Sequence, residues 1–474
     1  MKFITVIACL AFSAALYSQE SQLGADFRGE GDRLKESCSG FSFGKIASCA
    51  QVLFTDHPMH IAVGSLAPQN GFAFGPAFTG HWTPNETWRL NFDMDAVAAP
   101  SGSWRAGAYM TAILVRRPKI GVTMGNSGSG TLSNLAEREY PVFHVYAQSI
   151  SLTKLAYFGL GPNTKDTARS YFGMRETIVG ANVVWPIAAF RKLNASVFGE
   201  MNGRFVDLRA STGHSSPSIE QLYSEATAPG LTRQPGTAQF GEGIRFRPVL
   251  AGDYIRLNYS FAYQQYAASN SVFSFQRFTT DLSHTLAIYK KTKSLLPKDT
   301  NGPDDCSGDN TSSGGDRKNK FKCPGVTRDL QGSFGLRFLL SESFIPSGHV
   351  VPFYFQETLG GSDINGHNAL SSYQDYRFRA PNLMLIHGSF EHSLPGKFSV
   401  LGVAFAADAG KVALRHDDLG SAPFRHSYSA GVTLRAGGFP QIFLLYAWGG
   451  NEGTHTIVSV NTSLLGGSFR PSLY

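Results

Sequence analysis

From His60 onward, apolar and polar residues alternate with a period of two almost throughout the chain. In 87–95, Trp88, Leu90, Phe92 and Met94 alternate with Arg89, Asn91, Asp93 and Asp95. In 254–264, Ile255, Leu257, Tyr259, Phe261 and Tyr263 alternate with Arg256, Asn258, Ser260, Ala262 and Gln264. In 428–435, Tyr428, Ala430, Val432 and Leu434 alternate with Ser429, Gly431, Thr433 and Arg435. Successive side chains of a strand point to opposite faces, so each run predicts a strand with one apolar and one polar face. Strands are expected at 60–66, 71–80, 87–97, 103–116, 140–157, 169–186, 193–209, 238–250, 254–268, 273–290, 327–341, 381–394, 398–412, 424–437, 441–448 and 454–465. The count is sixteen, an even number that brings both ends to one side.

Strands of a soluble sandwich average about five or six residues, whereas a tilted strand that spans a membrane needs about ten. Many runs here reach that length. The 474 residues are 16% charged and 12% aromatic, with 51 glycines. That is sparse in charge for a soluble surface, yet no mature segment has the roughly 18 consecutive apolar residues of a spanning helix. A membrane β-barrel, with lipid outside and a polar lumen, gives this intermediate composition. The net charge of +7 is diffuse and identifies no partner by itself.

Lys2 followed by an apolar run from Phe3 to Leu16, with small residues at Ser13, Ala14, Ala15 and Ser18, reads as a secretory signal over 1–18. Residues 19–56 form a short polar lead, and 57–474 the barrel. If the first strand starts on the periplasmic side, turns 187–192, 248–253, 395–397 and 438–440 are short and periplasmic, and loops 210–237 and 342–380 are long and extracellular. That asymmetry is usual in bacterial barrels. Segments 117–139 and 291–326 break it, and 291–326 reads as a polar insertion.

The densest cluster of chemistry lies between Leu359 and Val412. It holds Gly360-Gly361, then Leu370-Ser371-Ser372-Tyr373, then Arg377-Phe378-Arg379, and last the strand Phe405-Ala406-Ala407-Asp408-Ala409-Gly410. This stretch resembles the sixth-loop region of the outer-membrane assembly and translocation barrels, the bacterial surface antigen family of BamA/TamA type. There a Gly-Gly turn leads to a Leu/Val-Arg-Gly-Tyr/Phe loop tip, and a Phe-x-x-Asp-x-Gly strand receives the tip arginine. Ser371 and Ser372 stand here where that family has Arg-Gly. Tyr157-Phe158-Gly159-Leu160-Gly161-Pro162-Asn163 resembles a further turn of the same family. The resemblance implies that loop 342–380 packs inside the barrel, with Asp408 as acceptor. Arg377 and Arg379 are then the candidate donors, because a carboxylate facing a water-poor interior needs a partner. The set Gly360, Gly361, Ser371, Tyr373, Arg377, Arg379, Phe405, Asp408 and Gly410 is the expected loop lock.

The resemblance also implies a bacterial outer-membrane location. The expected partners are outer-membrane lipids and lipopolysaccharide, together with unfolded outer-membrane proteins or exported polypeptides as clients to insert or translocate. The lead 19–56 is too short for the periplasmic domains of the best-known members, so the reading is of a monomeric, barrel-only protein. The alternative is a porin-like or structural barrel with no protein clients. Arg89, Arg256, Arg337 and Arg435, each between apolar residues, are expected to line the lumen. No enzyme is expected: adjacent Ser283 and His284 point to opposite faces of a strand, and His387 and Ser389 share a face without an evident orienting group. No cofactor, metal or nucleic-acid motif is read.

Cys9 leaves with the signal, and the other four cysteines form two local pairs, Cys38 with Cys49 and Cys306 with Cys323. Neither pair has Cys-x-x-Cys spacing and no histidine is near, so in an oxidising compartment two disulfides are expected rather than a metal site. Non-reducing peptide mapping should recover both pairs as linked peptides. Free thiols or crossed pairs would refute the assignment.

Overall fold

The computed structural model describes residues 58–115, 140–211, 215–297, 322–395, 400–436, 439–450 and 452–460, with isolated positions at 28, 29, 32, 35 and 471. The signal segment, nearly all of 19–56, segment 117–139 and Cys38, Cys49 and Cys306 lie outside the described residues, as does the side chain of Cys323. The strands are β1 Met59–Ser65, β2 Phe72–Trp82, β3 Trp88–Ala98, β4 Trp104–Leu114, β5 Val142–Tyr157, β6 Ser170–Pro186 and β7 Ala195–Ala210. They continue with β8 Thr237–Phe246, β9 Val249–Leu250, β10 Ile255–Ala268, β11 Phe275–Pro297, β12 Lys322–Phe344, β13 Glu357–Leu359 and β14 Phe378–Ala380. Last come β15 Asn382–Ser393, β16 Leu401–Ala413, β17 Arg425–Ala436, β18 Phe439–Gly450 and β19 Gly453–Val460.

Seventeen of these strands form one sheet. Its ladders are antiparallel and run between neighbours in chain order, as from β4 to β5 to β6 to β7. β13 and β14 pair with each other inside the loop between β12 and β15. Among the described residues no ladder joins β1 to β19. The sheet nevertheless curls around that loop. Tyr376 donates to Pro68 O beyond β1 (3.3 Å), while Arg377 pairs with Glu452 just before β19.

Three boundaries differ from the sequence expectation. The run 238–250 is broken into β8 and β9, since Pro248 has no N–H to give the ladder. The hairpin β11–β12 continues to Pro297↔Lys322, so the ends of the 291–326 insertion belong to the sheet. The inserted loop starts after Phe344, and it contains a strand pair of its own.

The two faces of the sheet have opposite chemistry. On β16, Phe405 is 51% exposed on the outer face and Asp408 is 5% exposed on the inner. The same split recurs around the sheet: Met94, Val145, Val179, Met201, Phe240, Leu336, Val432 and Leu444 are exposed, while Asp95, Arg105, Glu176, Arg204, Glu391 and Arg435 are buried. Aromatic rings rim the outer face, with Trp88–Phe143–Trp185 at one end and Tyr428–Trp448–Tyr446 at the other.

The buried charges are paired across strands: Arg105 with Asp95 at 2.8 Å, Arg204 with Glu176 at 2.9 Å, and Arg435 with Glu391. Arg337 meets Asp281 at 2.9 Å, less deeply. Towards the end that holds the loop, the interior becomes an aromatic core, with Phe353 packed edge-on against Tyr157 and Phe172 (both 5.1 Å) and Tyr266 stacked on Phe275 (4.3 Å). Because Arg204 and Glu176 are both fully enclosed, Glu176→Ala should destabilise the protein by about 3 kcal/mol by leaving a buried guanidinium without its carboxylate. Urea unfolding followed by tryptophan emission should show Glu176→Gln to be milder.

Candidate functional site

The site is the loop between β12 and β15 and the wall that holds it. Gly360 (φ 107°) and Gly361 (φ 60°) turn the chain out of β13. A Cβ on Gly360 would fall 2.6 Å from the Arg377 side chain, and one on Gly361 2.6 Å from Asp375, so the Gly-Gly pair is needed both for its conformation and for its closeness to the returning strand. Leu370, fully buried, takes a left-handed conformation (φ 52°), uncommon for a side chain of its kind. Ser371, Ser372 and Tyr373 follow, all buried.

That conformation aims the main chain of the tip at the wall. The Leu370 N–H donates to Asp408 Oδ2 at 2.9 Å, and the Ser372 N–H donates to Ser427 Oγ at 2.8 Å. His387 Nδ1 lies 2.6 Å from Asp408 Oδ1. His387, Asp408 and Ser427 are direct register partners on β15, β16 and β17, so one rung of the sheet grips the tip. Glycines on the wall make room: a Cβ on Gly410 would fall 2.6 Å from Leu359, and one on Gly450 2.8 Å from the Tyr373 ring. The spacing of Phe405, Asp408 and Gly410 thus gives an outward aromatic residue, an inward acceptor, and a gap for the loop. Near the tip, His367 hydrogen-bonds to Asp363, which raises its pKa against the opposing effect of burial.

Asp408 therefore faces the interior and holds the loop, but through neither of the expected arginines. With serines at the tip, main-chain amides are the donors, and His387 on the next strand takes the second carboxylate oxygen. Arg377 and Arg379 point away from Asp408 and towards the 157–164 turn. Arg377 donates from Nη1 to Thr164 Oγ1 (2.6 Å) and from Nη2 to Thr164 O (2.7 Å), pairs with Glu452, and lies over the Phe158 and Phe378 rings. Arg379 donates to Phe353 O at 2.7 Å, and its own carbonyl accepts from Gly161 N at 2.7 Å. The two segments that carry the resemblance thus meet each other.

His387, Ser427, Thr164 and Glu452 were missed by the sequence reading. His387 was visible only as an unoriented base, and its orienting group is Asp408; Ser389 makes no hydrogen bond to it among the described contacts. Inward position on a strand was the one available signal, and it does not say which strands become neighbours.

No protein-family model matches the chain. No curated protein matches it either. Among solved structures, the chain is similar to BamA from Haemophilus ducreyi lacking POTRA domains 1-3, with a TM-score of 0.44 and 9% identity over 90% of this chain and 81% of that one. It is also similar to CdiB from Escherichia coli, with a TM-score of 0.41 and 8% identity over 91% of this chain and 72% of that one.

Asp408→Ala should free the tip and make 359–380 several-fold more sensitive to limited proteolysis, with His387→Ala having a smaller effect. Since Arg377 shares no partner with Asp408, combining Arg377→Gln with Asp408→Asn should give additive loosening. A double variant no more sensitive than the worse single one would show that the two contacts act as a unit.

Proposed function

We propose that this protein is an exported outer-membrane β-barrel of the assembly and translocation type, closed at rest by its inserted loop, and that it assists the insertion or translocation of polypeptides. The observation that carries the membrane part is the reversal of faces, with aromatic and aliphatic side chains exposed and ion pairs enclosed. Exposed apolar area on this scale marks a surface covered by something other than water, and a lipid-facing wall with aromatic rims accounts for its continuity around the sheet. None of the described helices is long and apolar enough to cross a membrane.

Support for polypeptide handling comes from the loop and from the first strands. The loop resembles the family's in its Gly-Gly turn, its tyrosine and its Asp acceptor, and its tip is tied to the wall by main-chain hydrogen bonds to Asp408 and Ser427. At the other end of the sheet, β1 has only seven residues, and Pro76 on β2 cannot donate to a ladder. The β2–β3 ladder skips from Phe74↔Ala98 to Ala77↔Asp95 around it. Short, weakly bonded strands can exchange partners with an incoming strand. The filled aromatic interior disfavours an open porin.

The protein should fractionate with outer membranes and migrate anomalously on gels when unheated; recovery as a soluble periplasmic protein would end the membrane reading. A planar-bilayer recording beside a barrel-insertion assay then tests the role. Low conductance with accelerated insertion of a client barrel supports it, whereas a large steady conductance without insertion replaces it with a porin-like barrel.

A further inference from the structure

On the outer face, at the end of the sheet that holds the inserted loop, the strands β5, β6 and β7 collect the cations Lys154, Arg175 and Arg209, for which no contact to the inserted loop is found among the described residues, and Arg169 stands just before β6. Lys154 Nζ lies 4.5 Å from the centre of the Tyr171 ring, and the Arg169 guanidinium lies 5.6 Å from the same ring. Two residues along β6 from Tyr171 is Gly173, whose missing Cβ would stand 3.6 Å from Arg209 Cβ, so Arg209 shares this face. Arg209 donates to Ser151 Oγ at 2.6 Å. One rung lower, Arg175 and Asp207 form an exposed pair at 3.0 Å. Lys154, Arg175 and Arg209 thus share this face of the strands with the carboxylate of Asp207, while Glu220 stands nearby, hydrogen-bonded to the Ser218 hydroxyl beside Tyr171. The ammonium of Lys154 has no carboxylate partner among the described contacts, and Arg169 is bonded to the neutral oxygens of Ser216 and of Gln374 in the inserted loop, so it links the rim of this face to the loop.

What lies beside this cluster indicates its partner. The ladders put Trp104, Ser151, Arg175 and Asp207 on a single outward rung. The next outward rung carries Ser149 and Thr177, whose hydroxyls bond to each other at 3.0 Å, with Phe205 beside them. Further down come Val179 and Met201, both more than half exposed. From the end of the sheet towards its middle, the surface passes from guanidinium and ammonium groups to hydroxyls and one indole, and then to bare apolar side chains. The distance from Arg209 to Phe205 is four residues, about 13 Å along a strand.

We infer that this patch binds the phosphate groups of an anionic membrane lipid, its acyl chains lying on the apolar band and its headgroup against the cations. The inference rests on the membrane reading above and assigns a particular sector of the wall to one class of lipid. Guanidinium groups bind phosphate oxygens in pairs, and a ring held under two cations keeps their long side chains gathered with little further loss of freedom. A free phosphate would need only the cations; the continuity with hydroxyls and apolar residues fits a molecule that has all three parts. Asp207 sets the strength, since it opposes the anion directly.

The test uses the full chain in phosphatidylcholine nanodiscs, with diphosphoryl lipid A or its dephosphorylated form supplied, and native mass spectrometry to count bound lipid. The wild type should retain the phosphorylated form and not the other. Removing one cation near a charged headgroup weakens binding roughly fivefold, so Lys154→Gln with Arg209→Gln should weaken it about 25-fold. Asp207→Asn should tighten it, a gain that misfolding cannot produce. Equal retention of both lipids, or no tightening in Asp207→Asn, would overturn the proposal. So would displacement of the lipid by millimolar inorganic phosphate, which would mark a simple anion site. A chain that never enters the nanodisc, and shows no heat-dependent gel shift, would instead overturn the membrane reading beneath it.

Discussion

A carboxylate enclosed in the wall of a sheet has to be given donors, and Asp408 receives two: the imidazole of His387 and the amide of Leu370. The first is one strand away, so it fixes nothing beyond the sheet. The second belongs to the loop, and it places the loop tip at one height on one set of strands. Once Leu370 and Ser372 are bonded to that rung, Leu359 has to lie over Gly410 and Tyr373 over Gly450, the positions where the wall has no side chain. The strand pair β13–β14 and the left-handed conformation of Leu370 follow from the same placement.

The arginines of the loop have another task. Arg377 and Arg379 reach from β14 and the residue before it to the 157–164 turn and the Phe353 carbonyl, and Arg377 also reaches Glu452. With Tyr376 bonded to Pro68, the loop contacts segments next to the first and last described strands as well as the middle of the sheet. It is a cross-brace for a sheet whose described ladders do not close on themselves. Aromatic rings around Phe353 pack between these polar ties. Arg377 and Arg379 are themselves buried, and a hydrogen bond to a buried charge is not readily exchanged for one to solvent.

The outer face obeys the same rule with opposite content. Along β3 to β8 and β16 to β18 the outward positions are mostly apolar, and outward charges are few. Lys154, Arg175 and Arg209 stand towards the loop-holding end of three neighbouring strands, with Arg169 at the rim, and their concentration sets this sector apart from the bare aliphatic wall below it.

The alternation of side chains was enough to locate the strands within a few residues and to say that Phe405 faces out and Asp408 in, because the period of two is a property of each strand alone. The exceptions had local causes that pattern does not carry, such as the break at Pro248 and the extra length of β11 and β12. Which group answers Asp408 could not be read in the same way. Charge suggested Arg377 or Arg379, the strongest cations near in sequence. The answer depended on the register that sets His387 and Ser427 on either side of Asp408, and on a main-chain amide, which every residue but proline possesses and which no sequence pattern distinguishes. Side-chain direction is set by covalent geometry within a strand, whereas partner choice is set by how distant strands and a loop of about forty residues are brought together, and only the tertiary structure decides that.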